Sequence, residues 1–285
     1  GDLPCREFTQ EINIGGNIMN FKKPKIMGIL NVTPDSFYDG GVFNSEKKVL
    51  NQVHTMIDEG VDIIDIGGYS SKPGAENISL DTELKRVIPH IEIIKKNFED
   101  IPVSIDTFRS KVAKEAVNHG AEIINDISSG DLDQTMFETV SELKVPYIMM
   151  HMKGKPIDMQ INPVYKNLVV DISENLSKKI FEARTKGIND IIIDPGFGFG
   201  KTVNDNYILL KNLSFFKELG CPILVGISRK SMIYKVLNTD PQNSLNGTTC
   251  LNTISLMNGA NILRVHDVKQ AKEVVDLYES LNSRL

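Results

Sequence analysis

The chain has 285 residues, 41% of them hydrophobic and 24% charged, with 32 basic side chains against 37 acidic ones and a formal charge of -5. That is the make-up of an ordinary soluble globular protein long enough to bury a large core, with no basic surface suited to nucleic acid and no apolar run approaching the ~20 residues of a membrane span. Three scattered cysteines without metal or redox spacing, and an N-terminus lacking a basic region followed by an apolar core, point to the cytoplasm.

The first structural signal is "INIGGNIMNF", apolar residues flanking Gly15 and Gly16, which predicts a short β-hairpin. Eight runs rich in Ile and Val follow. They are "IMGILNVT" from Ile26, "DIIDIGG" from Asp62, "VSIDT" from Val103, "EIINDIS" from Glu122, "PYIMMHM" from Pro146, "DIIIDPG" from Asp190, "PILVGIS" from Pro222 and "NILRVHD" from Asn261. Each is nearly continuous in apolar residues rather than alternating, as suits parallel strands buried on both faces. The segments between them read as helices: "SEKKVLNQVHTMIDEG" opens with Ser45 as its N-cap and stops at Gly60, and "RSKVAKEAVNHG" runs to Gly120 in the same way. Eight strand-then-helix units in ~240 residues predict an α/β fold, a closed (β/α)8 TIM barrel, with an open doubly wound sheet as the alternative. The hairpin is expected to cover the lower end of that barrel. No linker or low-complexity tract divides the chain, so residues 1–285 read as one domain with its core from about residue 24 onward.

The sixth run continues into "DPGFGFGKT", which ends like a phosphate-cradling P-loop. Counting back from Gly200, the position that needs the first glycine is Pro195, which has no N–H to donate and a fixed φ. Asp194 fits another pattern better. The polar residues of the eight runs gather at their C-terminal ends: Asn31, Asp106, Asn125, Asp194, then Ser228 with Arg229 and Lys230, then Arg264 and His266. In a barrel those ends face the mouth where ligands bind. Taken singly each has a structural alternative, as a helix cap, a turn former or a core histidine. Their shared rim is what favours a site.

Asp106, Asn125, Asp194 and Lys230 offer carboxylates, an amide and an ammonium, which match a flat heterocycle with adjacent N–H donors and carbonyl acceptors, a pterin or a purine. Arg264 and His266, at alternate positions of the last strand, add donors suited to phosphate oxygens. Asn31 supplies a hard oxygen ligand nearby, which suits a Mg2+-bound diphosphate.

Seven motifs in order, "MGILNVTPDSFYDGG", "DIIDIGGYSSKPGA", "SIDTFRS", "INDIS", "DPGFGFGK", "GISRKS" and "RVHDV", make the chain from about Ile12 to its C-terminus resemble the dihydropteroate synthases of the pterin-binding barrel family. The resemblance implies a transferase of folate biosynthesis, commonly a homodimer, in which 4-aminobenzoate attacks the methylene of 7,8-dihydro-6-hydroxymethylpterin diphosphate with Mg2+-assisted loss of diphosphate. It implies that Asp106, Asn125, Asp194, Lys230 and Arg264 hold the pterin and that Asn31 binds Mg2+. Arg264 and His266 would take the diphosphate, and Ser231, Phe199 and Pro73 the 4-aminobenzoate. A first loop with Asp35, Phe37 and Asp39 and a second with Ser70, Ser71, Lys72 and Pro73 would close over both substrates. Asp39, ahead of Asp35, is the carboxylate expected to steady the cation that develops on the methylene.

Two departures from the family pattern stand out. Its second loop commonly reads Ser-Thr-Arg-Pro, whereas Lys72 here keeps the charge without the planar fork of arginine. Tyr69 and Tyr38 place aromatic rings where smaller or polar residues are expected. Two rival readings share the barrel. A corrinoid-linked methyltransferase acting on methyltetrahydrofolate would keep the pterin carboxylates without needing Arg264 and His266, and a non-catalytic pterin binder would not release diphosphate.

Overall fold

The isoleucine-rich runs all become parallel strands. The computed structural model describes residues 10–34, 38–39, 42–43, 45–72, 75–153 and 165–283. In chain order the strands are β1 (Glu11–Ile14), β2 (Asn17–Asn20), β3 (Lys25–Asn31), β4 (Tyr38–Asp39), β5 (Val42–Phe43), β6 (Ile63–Gly67), β7 (Val103–Asp106), β8 (Ile123–Asp126), β9 (Tyr147–Met150), β10 (Ile191–Asp194), β11 (Leu224–Val225) and β12 (Ile262–Val265). The helices are α1 (Ser45–Asp58), α2 (Leu80–Asn97), α3 (Ser110–Asn118), α4 (Met136–Leu143), α5 (Leu168–Thr185), α6 (Val203–Lys211), α7 (Ser231–Tyr234), α8 (Leu245–Met257) and α9 (Val268–Asn282). Eight strands pair in parallel in the order β10-β9-β8-β7-β6-β3-β12-β11, and a bridge between Ile193 and Ile223 joins the two ends. The result is the (β/α)8 barrel, in which each strand is followed by helix that packs outside it.

Several boundaries differ from the sequence reading, for local reasons. The helix of "SEKKVLNQVHTMIDEG" begins at Ser45 itself, so Ser45 is its first residue and not its cap. The seventh barrel strand is only two residues long, because the chain beyond Gly226 turns back on itself and Lys230 N–H bonds to the Ile227 carbonyl at 3.1 Å. No helix among the described residues is long and apolar enough to cross a membrane.

The barrel interior follows the two-residue period of its strands. Apart from the buried Ser104 of β7, its lower level is apolar: Met27, Ile63, Ile123, Ile148, Ile192, Leu224 and Ile262 meet Ile12, Ile14 and Phe21. The β1–β2 hairpin thus seals that end, turning on Gly15 and Gly16 at φ 57° and 89°, values costly for a residue with a Cβ. Two residues further along their strands, the inward positions are Ile29, Asp65, Asp106, Asn125, Met150, Asp194, Gly226 and Arg264. Outward-facing residues such as Ile64, Ile105, Ile124 and Leu263 are buried with Val53, Ile91, Ala116 and Leu176 of the helices. Each such side chain contributes about 1.5–3 kcal/mol.

Candidate functional site

A central buried group is Asp65, which the sequence reading did not single out. It lies on β6 with a side chain wholly out of solvent. Its Oδ2 accepts from Arg264 Nε at 2.8 Å and from Asn125 Nδ2 at 3.2 Å, so one carboxylate holds residues from β12 and β8. Arg264 also reaches Asp106 Oδ2 through Nη2 at 3.3 Å, and the other oxygen of Asp106 accepts from the Tyr69 hydroxyl at 3.0 Å. Burial, and then the charge of Asp65, push the Asp106 carboxyl up to about 7, against the pull of Arg264 and Tyr69. Burial works against the Arg264 charge, but Asp65 and Asp106 more than offset it and hold the guanidinium protonated.

On the opposite wall, Asp194 closes β10 and its Oδ1 accepts from Gly196 N–H at 2.9 Å. Burial raises its pKa, and the charge of Lys230 works against that. Lys230 bonds to the Phe197 carbonyl at 2.7 Å and lies 4.7 Å above the Phe199 ring. Burial lowers its pKa to about 8, partly countered by Asp194.

The "GFGFGK" turn explains these placements. Gly196, Gly198 and Gly200 all have positive φ, and a Cβ on Gly196 or Gly200 would collide with the carbonyl of His151 or Lys153. The turn is therefore pressed onto the chain that follows β9. Lys201, 2% exposed, reaches under it to the Phe199 carbonyl at 2.9 Å and to His151 Nδ1 at 3.0 Å. Burial, then the neighbouring Lys201 charge, depress His151 to about 2, so its neutral ring accepts from the amine. A capping box between Thr202 and Asp205 then starts α6. The lysine that mimics a P-loop is thus a buried brace.

The last corner joins β11 and β12. Ser228 Oγ accepts from His266 N–H at 3.2 Å and lies 2.7 Å from His266 Nδ1. A hydroxyl hydrogen directed to Nδ1 would leave the ring proton on Nε2, where it could serve as a donor. Burial, then the Arg264 charge, lower the His266 pKa, so the imidazole is neutral near pH 7. Arg229, grouped with the rim by the sequence, does not contribute a free guanidinium. It forks onto Asp267 at 2.8 and 2.9 Å and bonds the carbonyls of Pro241 and Gln242, pinning the loop that carries Lys230 and Ser231.

The structure thus brings together Asp106, Asn125, Asp194, Lys230 and Arg264, with Phe199 beside Lys230 and His266 one residue past β12. Asn31 ends β3 exposed on the same rim, and its partner across the ladder is Gly67, which in turn opposes Asp106. Ser231, half-buried, begins α7 directly after Lys230. In the second loop Ser70 and Lys72 are exposed, Ser71 is half-buried, and Lys72 N–H bonds to Ser70 Oγ at 3.3 Å. Asp35, Phe37 and Pro73 lie outside the described residues, as does the side chain of Asp39. Tyr69, Ile127, Met150 and Phe199 form an apolar cluster at the mouth. No group of three His, Cys, Asp or Glu that could hold a metal occurs among the described residues. The arrangement presents hydrogen-bonding carboxylates and an amide on facing walls, an aromatic face, and cations directed at one rim, which suits a flat, polar heterocycle carrying an anionic tail.

A family model described as "Pterin binding enzyme" matches residues 27–266. The chain is 42% identical over 267 residues to the dihydropteroate synthase of Escherichia coli strain K12, covering 93% of this chain and 94% of that protein. Its fold matches the Yersinia pestis dihydropteroate synthase, solved with a sulfonamide drug complex, with a TM-score of 0.90 at 40% identity, over 96% of this chain and 99% of that one. It matches the Xanthomonas albilineans dihydropteroate synthase, solved with 4-aminobenzoic acid, with a TM-score of 0.91 at 36% identity, over 97% and 100%. Alongside the carboxylate, amide and cation geometry, these likenesses establish that the chain belongs to the pterin-binding enzymes, as a member of the dihydropteroate synthase family.

Proposed function

We propose that the protein condenses 7,8-dihydro-6-hydroxymethylpterin diphosphate with 4-aminobenzoate, giving 7,8-dihydropteroate and diphosphate in folate biosynthesis. The observation that carries this reading is the Asp65–Arg264–Asp106 chain of ion pairs facing Asp194 and Lys230 across one barrel mouth. Asp106, Asn125 and Asp194 would bond the edge of the pterin, with Lys230 donating to it and Arg264 bordering it. Arg264 and the Nε2–H of His266 would then bond the diphosphate and take up charge as it leaves. A neutral aryl amine needs no strong base to attack the resulting cation.

Asn31 at the exposed end of β3 fits Mg2+, an ion that keeps mostly phosphate and water oxygens and takes few from protein. Bound there with the substrate, Mg2+ would supply Lewis-acid neutralisation of the departing diphosphate. Phe199, Ser231 and Pro73 would line the 4-aminobenzoate subsite, with Phe37, Ser70, Ser71 and Lys72 closing over it. Asp39, ahead of Asp35, would steady the methylene cation while the closed loops exclude water. The reading includes a cytoplasmic location and a homodimer. Exposed Ile254 and Met257 on α8, with Val236 and Leu237 beyond α7, are among the apolar side chains available to a two-fold contact.

The test is to incubate the protein with both substrates and Mg2+ and to measure diphosphate release together with pteroate formation, leaving out each component in turn. Release coupled to pteroate is expected. Pterin binding without release would overturn the reading and return the site to a methyltransferase or a binder.

A further inference from the structure

Tyr69 stands where the family pattern leads one to expect a smaller or polar residue, and the structure gives it a specific contact. The residue follows Gly67 and Gly68 at the end of β6 and opens the second loop, one position before Ser70. Its ring is buried, packed edge-on against Phe108 with centroids 5.3 Å apart and planes at 82°. Phe108 lies two residues beyond Asp106, so the ring and the carboxylate share one wall. The Tyr69 hydroxyl points inward to Asp106 Oδ1, while Arg264 holds Oδ2 from the far strand. A carboxylate has about four lone-pair sites. With one donor on each oxygen, Asp106 is fixed in orientation and keeps one lone pair on each oxygen for a ligand.

We propose that Tyr69 is a positioning residue of the pterin subsite, whose hydroxyl keeps Asp106 oriented to receive ring N–H groups and favours its anion. The inference rests on the pterin reading above. The groups facing Asp106 are Asp65 from β6, Glu83 from α2, Arg264 from β12 and Lys230 from the loop after β11, with Tyr69 itself. Asp65 and Glu83 favour the protonated acid; Arg264, Lys230 and the phenol favour the anion. Of these, Tyr69 alone couples Asp106 to the second loop. Burial, then the Asp106 charge, push the phenol well above its usual range, so it stays a donor at every pH at which the enzyme works.

The test compares the wild-type protein with Tyr69→Phe, which keeps the ring against Phe108 and removes one oxygen, with thermal melts to verify that both are folded. Direct binding of the pterin diphosphate and steady-state kinetics for both substrates are followed from about pH 5 to about pH 9. Removing a hydrogen bond to a charged group is expected to raise KM for the pterin substrate about tenfold, and to move the acidic limb of kcat/KM up by about one pH unit. KM for 4-aminobenzoate is expected to stay within about twofold, since the change acts through Asp106. An unmoved acidic limb with an unchanged pterin KM would overturn the proposal, and so would a rise confined to the 4-aminobenzoate KM, which would assign Tyr69 to the loop alone. Wild-type protein that fails to bind the pterin would overturn the functional reading as well, so the two failures are distinguishable.

Discussion

The two levels of the barrel interior are built by the same backbone geometry, yet their energetics run in opposite directions. At the lower level seven inward side chains and the hairpin residues Ile12, Ile14 and Phe21 are apolar and closely packed. One step higher, Asp65, Asp106, Asn125, Asp194 and Arg264 occupy the equivalent positions, and burial works against the charged forms of Asp106 and Asp194. A barrel can hold charges out of water on its upper level because the lower level, the helices and the hairpin supply the stability that the charges do not. The lower level is replaceable by anything apolar of the right volume, whereas the upper level is set by chemistry.

That contrast can be broken most sharply at Asp194. Asp194→Ala is expected to lower kcat/KM for the pterin substrate roughly 100- to 1000-fold through loss of charge-assisted hydrogen bonds, while a thermal melt moves little because a buried carboxylate is removed with them. The mirror experiment is Ile192→Ala, two residues earlier on the same face. It should cost about 2–5 kcal/mol of stability in denaturant unfolding and leave kcat/KM of the folded protein within about twofold.

A pH titration sharpens the comparison further. Asp106 has a folded value of about 7 against 3.8 in the unfolded chain, so between these values the folded state keeps a proton that the unfolded state has released. Its contribution to stability is therefore full below about pH 4 and is lost as pH rises through about 7. Asp106→Asn lacks that loss. Its melting temperature relative to wild type should climb across the same window and level off above it, and a difference that is flat with pH would contradict the assignment. The smallest effect is expected outside the barrel: Lys72→Arg restores a planar fork to the second loop and should tighten inhibition by sulfonamides a few-fold, and equal inhibition constants would show that Lys72 does not grip the ligand.

Most of the barrel was legible because continuous runs of Ile and Val between helix-period segments leave little choice of architecture. The rim was legible too, since Asp106, Asn125 and Asp194 each end such a run. Asp65 was not, because "DIIDIGG" offers two acids and neither closes the run as Asp106 and Asp194 do. Parity separates them: Asp62 lies before the strand and accepts the Ile26 N–H at 2.8 Å, whereas Asp65 shares the inward face with Ile63. The two-residue spacing from an apolar inward position was therefore a usable signal. The pairs Ser228–His266 and His151–Lys201 had none, since their members are 38 and 50 residues apart and meet only through the closed barrel. Arg229 looked like a rim cation because its partner Asp267 is equally remote in sequence.

The bond between Arg264 and Asp65 spans 199 residues and joins the second barrel strand to the last. During synthesis the two acids of β6 and β7 emerge long before their counter-ion. Until β12 leaves the ribosome and docks, Asp65 and Asp106 face a shared interior with no guanidinium between them, and like charges so close oppose closure of the wall. Closing the barrel and neutralising its site are thus one event, which waits for β12. A chain released before residue 264 would carry most of the rim and still be unable to assemble it.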